Sequence, residues 1–168
     1  MLPPLLIIPF FLMIPLNILI NMIKLGDSLI GLILAHLAHT VPFSTWILRG
    51  YFMGMPKDIE DSALVDGCSR FQTLWRVVLP ISAPGLVTAT VFSFTLSWDD
   101  LIFALVILSK PRNYTLPLAI AFFMQGGEVY AWGELAASTI LATFPPVILY
   151  LIIQKYVVSG LTGGAIKG

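Results

Sequence analysis

Residues 55–80 read MPKDIEDSALVDGCSRFQTLWRVVLP, and the interpretation of the whole chain follows from this polar stretch. With Arg49 just before it, the stretch holds four of the nine basic and four of the nine acidic side chains in a chain of 168 residues. Long uncharged runs lie on both sides of it. A polar segment of this length between apolar runs indicates a surface that contacts a soluble partner, which favours a membrane subunit over a free-standing enzyme.

The composition is that of a membrane protein. The chain is 58% hydrophobic and 11% charged, whereas a soluble domain carries about 25% charged residues. A spanning helix needs about 20 mostly apolar residues. Four uncharged runs approach or exceed that length: Met1–Ile23, Ser28–Leu48, Ile81–Trp98 and Leu135–Gln154. We therefore predict an all-α integral membrane protein, a polytopic helical bundle with about four spans, placed at 1–22, 28–50, 81–108 and 132–154.

The distribution of basic residues predicts the orientation. Lysine and arginine concentrate on the cytoplasmic side of membranes. Six basic residues lie in the 49–80 segment or after the last run, and three lie in the alternate loops, at Lys24, Lys110 and Arg112. The bias places the 55–80 loop and a C-terminal tail, 159–168, in the cytoplasm. The zero net charge gives no indication of a nucleic-acid partner.

The 55–80 loop carries the signals of two short helices. Pro56 suits the first turn of a helix, and the acidic residues after it suit the positive end of the helix dipole. Gly67 is placed to end that helix in the left-handed conformation. Ser69-Arg70-Phe71-Gln72 has the pattern of a capping box, and Pro80 is expected to close the second helix. The loop is therefore predicted to be helix–glycine turn–helix.

This loop resembles the signature of permease subunits from ATP-binding cassette importers. The family motif is Glu-Ala-Ala-x-x-x-Gly, and the matching residues are Asp61-Ser62-Ala63-Leu64-Val65-Asp66-Gly67, followed by Val77-Val78-Leu79-Pro80. Asp61 stands where Glu is usual and Ser62 where the first Ala is usual. The resemblance continues through Leu74-Trp75-Arg76, Ser97-Trp98-Asp99-Asp100, Tyr114-Thr115-Leu116-Pro117 and the tail 160–168. The whole set is similar to the carbohydrate branch, the maltose- and glycerol-phosphate-type permeases.

The resemblance implies a coupling mechanism. In this family the motif forms a coupling helix that docks in a cleft on a cytoplasmic ATPase, and closure of two ATPases moves it as a lever. Asp61 would make polar contact in that cleft, while Ala63 and Gly67 would permit close approach and the turn. The docking residues implied are Glu60, Asp61, Ser62, Ala63, Asp66 and Gly67.

The resemblance also implies the partners. They are two ATPase subunits, a second permease subunit and an extracytoplasmic solute-binding protein. ATP would be bound by the partner, and this chain, which has no GxxxxGK[ST] loop, would bind no cofactor and be no enzyme. The expected location is the cell membrane, with sugars or related polyols as the transported solutes. Family members usually have six spans with the motif between the fourth and fifth. Two spans are therefore expected to be missing before Met1.

Polar residues inside the predicted spans are candidates for a translocation path. His36 and His39 lie one turn apart in the second run, and Asp99 and Asp100 follow the third. Metal binding would need further ligands, and none lies near the two histidines in sequence. Polar groups in spans usually face the bundle interior, which favours a helix-interface or path role for His36 and His39, and Asp99 and Asp100 could line the path. Asp99 and Asp100 could instead lie at the outer water interface, and the sequence leaves that alternative open.

Three alternatives compete with the importer subunit. A membrane hydrolase is disfavoured because no G-x-S-x-G is present and adjacent aspartates on a helix point about 100° apart. A gradient-driven secondary transporter would suit broken helices but leaves the ordered polar loop unexplained. A non-functional permease fragment is the third alternative.

Overall fold

The computed structural model describes the backbone of residues 9–125 and 132–165, and the side chains of 11–125 and 132–154. Within these ranges the chain is helical and contains no strand. Beside a π-helical turn at Leu74–Val78 and a 3₁₀ turn at Pro111–Asn113, the α-helices are α1 Pro9–Met22, α2 Leu29–Met53, α3 Lys57–Val65, α4 Arg70–Thr73, α5 Leu79–Ile81, α6 Ala83–Trp98, α7 Ile102–Ile107, α8 Leu116–Gln125 and α9 Trp132–Ala165.

The buried core lies around the short helix α7. Phe103, Ala104 and Ile107 of α7 are buried against Ile20 of α1 and Leu32 of α2. Ala35, Leu108 and Leu118 complete this cluster. Burial of apolar side chains stabilises such a cluster in proportion to the area removed from water. Helix α7 therefore joins the first two long helices to the segment that leads into α8.

Helix α6 lies between α2 and α9 and contacts both. Phe43 of α2 meets Phe92 edge-on, with ring centroids 5.7 Å apart. At the next position of each helix, the hydroxyl oxygens of Ser44 and Ser93 are 2.7 Å apart. Small and hydroxyl-bearing residues allow helices in membranes to approach closely and to form hydrogen bonds. Large apolar side chains on the outer faces of the described helices are exposed, which fits contact with lipid or with further helices.

Two of the described helices, α2 and the 132–154 part of α9, are long and apolar enough to cross a membrane. A third span results if the segment Arg70–Ile81 is counted with α6, although the two are bent by 72°. The apolar helices α1 and α8 are shorter over the described residues. Residues 1–8 of the first predicted span lie outside the described residues, so four spans stays a prediction.

The structure divides the predicted span 81–108 in two. Helix α6 ends at Trp98 and α7 begins at Ile102. The physical reason is Asp100, whose carboxylate accepts hydrogen bonds from the backbone N–H groups of Phe103 and Ala104 and so starts a new helix. Helix α8 lies between the predicted spans 81–108 and 132–154, where no helix was predicted. Its sequence, LPLAIAFFMQ, is apolar enough to have indicated a helix.

The last helix is longer than the predicted span 132–154. Helix α9 is continuous across Pro145 and Pro146 and runs on through Ala165, into the predicted tail. A proline leaves unbonded the carbonyl four residues before it, and in a bilayer that group needs a partner. The indole N–H of Trp98 donates to the carbonyl of Ala142, four residues before Pro146, at 3.0 Å. A neighbouring helix thus supplies the missing donor. Residues 166–168 of the tail lie outside the described residues.

We predict that Trp98→Phe lowers the free energy of unfolding by about 1 kcal/mol, a typical upper value for a hydrogen bond between membrane helices. Phenylalanine keeps the aromatic ring but removes the donor to Ala142. The matched control is Trp46→Phe, because Trp46 is half-exposed and its indole makes no hydrogen bond within the described residues. Reversible unfolding of the purified protein in mixed micelles measures both variants. Equal losses in the two would contradict the assignment.

Candidate coupling surface and polar contacts

Helix α3 presents most of the predicted docking residues on its outer side. Glu60, Asp61, Ser62 and Asp66 are exposed. Ala63 is 6% exposed and packs against its own chain. Its small side chain allows α3 to lie against the turn that follows. Pro56 precedes the helix with ψ 131° rather than lying in its first turn.

Gly67 turns the chain at the end of α3. Its φ of +85° is in the left-handed region, which glycine adopts without steric cost. The N–H of Gly67 donates to the carbonyl of Leu64, and the N–H of Cys68 donates to that of Ala63. This pair of bonds is the Schellman motif. A β-carbon on Gly67 would meet nothing within 4 Å, so the backbone conformation alone requires glycine here.

The second helix begins as predicted, with a capping box. The N–H of Gln72 donates to Ser69 Oγ at 3.3 Å, and the N–H of Ser69 donates to Gln72 Oε1 at 2.9 Å. Pro80 does not close this helix. The chain forms a π-helical turn at Leu74–Val78 and stays helical to Ile81. A proline clashes with the carbonyl four residues earlier, and the wider π turn just before Pro80 relieves that clash.

The bend between α5 and α6 is packed tightly against α2. Ser82, where the 72° bend occurs, is completely buried. Three residues later Gly85 lies against the ring of Tyr51, near the end of α2. A β-carbon at Gly85 would lie 2.6 Å from Tyr51 Cγ, which leaves no room for any other residue. The segment Arg70–Ile81 is therefore joined to α6 at a bend that packs directly against α2.

Exposed apolar side chains extend the surface of α3. Phe71 and Trp75 are exposed, with ring centroids 6.1 Å apart, and Val65 is 87% exposed. Clustered exposed apolar groups usually mark an interaction site, and aromatic residues are enriched in protein interfaces. The sequence analysis did not assign these three residues to the site. The spacing of Phe71 and Trp75, one helical turn apart in a polar loop, was the available signal.

The four proposed path residues are not brought together as one group. His36 Nε2 lies 3.1 Å from Asp100 Oδ2, and both side chains are largely buried. Asp100 also starts α7, so it ties that helix to α2. His39 packs against the ring of Phe103, and Asp99 is exposed without a side-chain hydrogen bond among the described residues. The structure assigns a structural contact to His36 and Asp100. A path role for the four residues stays a prediction.

Asp27 forms a second contact that the sequence analysis missed. Its Oδ2 lies 2.9 Å from Lys110 Nζ, and its Oδ1 accepts the N–H groups of Ser109 and Lys110. Asn113 donates to the Asp27 carbonyl at 2.7 Å. The hydrogen bond from Lys110, followed by the two backbone donors, holds the pKa of Asp27 well below its usual range. The network fastens the α1–α2 loop to the segment between α7 and α8.

Among the described residues, no three His, Cys, Asp or Glu side chains come close enough to hold a metal ion.

Apolar helices of membrane-spanning length, joined by an exposed helix–turn–helix, define a polytopic membrane protein with a polar surface on one connecting loop. The chain belongs to the family described as binding-protein-dependent transport system inner membrane component, whose profile matches residues 1–163. The resemblance drawn from the Asp61–Gly67 motif is therefore confirmed.

Curated relatives support the same family. The chain is 42% identical over 149 residues to the trehalose/maltose transport system permease protein of Thermococcus litoralis, covering 86% of this chain and 53% of the relative. It is 40% identical over 144 residues to the diacetylchitobiose uptake system permease protein of Streptomyces coelicolor, covering 84% and 51%. It is 37% identical over 157 residues to the sulfoquinovosyl glycerol transport system permease protein of Agrobacterium fabrum, covering 94% and 55%. The chain thus spans about half the length of these relatives.

We predict that Asp100→Ala lowers the free energy of unfolding by about 2 kcal/mol. The substitution removes charge-assisted hydrogen bonds to two backbone N–H groups and leaves His36 without its partner. The control is Asp99→Ala at the neighbouring, exposed position, where a change within about 0.5 kcal/mol is expected. Unfolding in mixed micelles measures both. If the two substitutions cost the same, Asp100 does not hold α7 in the way described.

Proposed function

We propose that this chain is the transmembrane permease subunit of an ATP-binding cassette importer that moves sugars or related polyols across the cell membrane. Its 55–80 loop couples the spans to a separate ATPase, and its C-terminus lies in the cytoplasm. The observation that carries the proposal is the exposed, glycine-terminated helix α3, joined to α6 through a tightly packed bend. Membership of the binding-protein-dependent transport family supports it.

The surface of α3 has the chemistry of a docking site. Glu60 and Asp61 lie on this exposed helix of nine residues and Asp66 follows as its C-cap, so the surface carries these three carboxylates. The exposed rings of Phe71 and Trp75 lie close by in sequence and supply apolar contact area. Charged groups at an interface mainly set orientation and specificity, whereas aromatic anchors contribute much of the binding energy. We assign the partner surface to a cytoplasmic ATPase subunit, which binds the ATP.

The packing of the described helices gives a route by which a movement of the 55–80 loop would reach the spans. A shift of α3 moves the capped helix after Gly67, and the contact of Gly85 with Tyr51 passes it to α6 and α2. Helix α6 is linked in turn to α9 by the hydrogen bond from Trp98 to Ala142. All the long helices described after α1 are therefore connected to the loop. Packed helices that have two stable arrangements can convert a small displacement into a switch from one arrangement to the other.

The solute class rests on the relatives. The three described above are named for trehalose or maltose, diacetylchitobiose and sulfoquinovosyl glycerol, all rich in hydroxyl groups. The family description adds a binding protein. We therefore propose a solute-binding protein outside the membrane, two ATPase subunits and a second permease subunit as the partners of this chain.

Reconstitution tests the proposal as a whole. The tagged chain is purified from its host in mild detergent, its partners are identified by mass spectrometry, and the complex is placed in proteoliposomes. Uptake of a labelled sugar from a panel that begins with maltose and trehalose should require ATP and the binding protein. Uptake driven by an ion gradient without ATP would indicate a secondary transporter. Recovery of the chain without an ATPase, and no uptake, would indicate a fragment.

Gly67→Val is expected to reduce sugar-stimulated ATP hydrolysis about tenfold or more while membrane insertion is unchanged. Valine at a φ of +85° costs roughly 1–3 kcal/mol of backbone strain and disrupts the Schellman turn. Gly133→Val is the control, because that glycine is outside the loop and a β-carbon there meets nothing within 4 Å. Wild-type stimulation in Gly67→Val would show that α3 is not the coupling element.

Asp61→Lys is expected to weaken association with the ATPase roughly tenfold, because it reverses a charge within the proposed interface. The control is Asp99→Lys, which makes the same change at an exposed aspartate at the other end of α6. Co-purification at graded salt concentrations compares the two variants. Undiminished recovery of the ATPase with Asp61→Lys would remove Asp61 from the docking surface.

A further inference from the structure

A polar cavity lies beside α1, at the end of α2 opposite to the coupling loop. It measures about 460 Å³ and is lined chiefly by Asn17, Asn21, Lys24, Gly26, Asp27 and Ser109. Pockets for small molecules usually measure about 300–1,000 Å³. Helix α2 has 25 residues, and at 1.5 Å per residue it separates this cavity from the 55–80 loop by about 37 Å.

Two carboxamides form one wall of the cavity. Asn17 and Asn21 lie one turn apart on α1, a helix whose other residues are apolar. Asn21 Nδ2 donates to the side-chain oxygen of Asn17 at 2.6 Å and to its carbonyl at 2.9 Å. Asn17 Nδ2 and Asn21 Oδ1 make no hydrogen bond within the described part of the chain. One carboxamide donor and one carboxamide acceptor therefore remain unpaired among the described residues.

The loop at Gly26 contacts Asn21. A β-carbon on Gly26 would collide with Asn21 Oδ1 in its present position, so the carboxamide lies directly against the loop backbone. Lys24 precedes it with a φ of 59°, in the left-handed region. Of the two lysines at this end, Lys110 is paired with Asp27, while Lys24 lies near no carboxylate among the described residues. The cavity thus offers a carboxamide donor, a carboxamide acceptor and an ammonium group.

We propose that this cavity is a solute subsite that binds the hydroxyl groups of a sugar on the outer side of the membrane. Carboxamides suit this ligand because each hydroxyl both donates and accepts a hydrogen bond. The ammonium group of Lys24 would donate a hydrogen bond to a hydroxyl or ring oxygen. Its positive charge would also attract an anionic substituent on a polyol. The proposal rests on the proposed function, since the outer location follows from placing the coupling loop in the cytoplasm.

Asp27 differs from the two asparagines, because its carboxylate already has partners. Asp27 lines the cavity, but its carboxylate is already engaged by Lys110 and two backbone N–H groups. It therefore holds the wall in place rather than binding solute. Polar side chains inside spans are costly and usually have a functional partner. Within the described residues, the outward-facing groups of Asn17 and Asn21 have none, and a hydroxyl-rich solute would supply one.

Protection of an introduced thiol tests the subsite in the assembled importer. The single native cysteine is replaced by Cys68→Ser, and Ser109→Cys then places a nearly isosteric thiol in the cavity wall. Arg112→Cys, an exposed position near the cavity but not lining it, is the control. A membrane-impermeant maleimide labels each variant from outside, with and without the sugar that the native importer takes up, with maltose tried first.

Sugar present at about four times its Kd should slow labelling of Ser109→Cys about fivefold, since four fifths of the sites are then occupied. Labelling of Arg112→Cys should not change. Adding Asn17→Leu or Asn21→Leu should abolish the protection, and thermal unfolding checks that these variants still fold. If neither leucine variant folds, protection of Ser109→Cys in the protein with both asparagines intact still tests the proposal.

The outcomes separate the subsite from the proposed function. ATP-dependent sugar uptake without protection at Ser109→Cys would overturn the subsite and leave the function intact. Protection by the solute-binding protein alone, or equal protection at Arg112→Cys, would also overturn it. Absence of uptake for every sugar tested would reject the proposed function instead.

Discussion

The contact of Asp100 with the start of α7 is the interaction on which the packing of the described helices depends. Its carboxylate replaces the backbone acceptors that α6 no longer provides after Trp98. Because α7 carries the central residues of the buried cluster, the position of this short helix decides how α1 and α2 meet. His36 fixes the same carboxylate to α2. A span that looks continuous in composition is thereby divided into two helices, and Asp100 accepts two of the N–H groups that begin the second one.

The same constraint explains the other irregular points of the chain. In an apolar environment each backbone group released by a break or a proline must find another partner. Trp98 supplies one for α9 at Ala142, and a π turn adjusts the helix before Pro80. Asp27 does the equivalent for the segment after α7, where it accepts two adjacent N–H groups. A particular side chain thus supplies the partner in each case except Pro80, where the backbone itself adjusts.

Local features were predictable from the sequence, and contacts between distant residues were not. The left-handed Gly67 and the capping box of Ser69 and Gln72 depend on residues within one helical turn, so a short pattern specifies them. His36 and Asp100 are 64 positions apart, and Lys110 lies 83 positions from Asp27. One sequence does not show which polar residues will pair over such separations. The family motif therefore identified α3, whereas the polar cavity beside α1 required the structure.

The coupling surface and the polar cavity lie at opposite ends of α2, and this arrangement bears on how a permease of this family could work. A rigid α2 passes a displacement at Tyr51 along its length, because helices bend little unless proline or an inserted group interrupts them. Pro42 is the one proline within α2, and it lies between Tyr51 and the His36 contact with Asp100. A change of bend at Pro42 would therefore move the coupling end relative to α7. Since α7 supplies the Val106–Ile107 wall of the cavity, the same bend would change the space available to a solute.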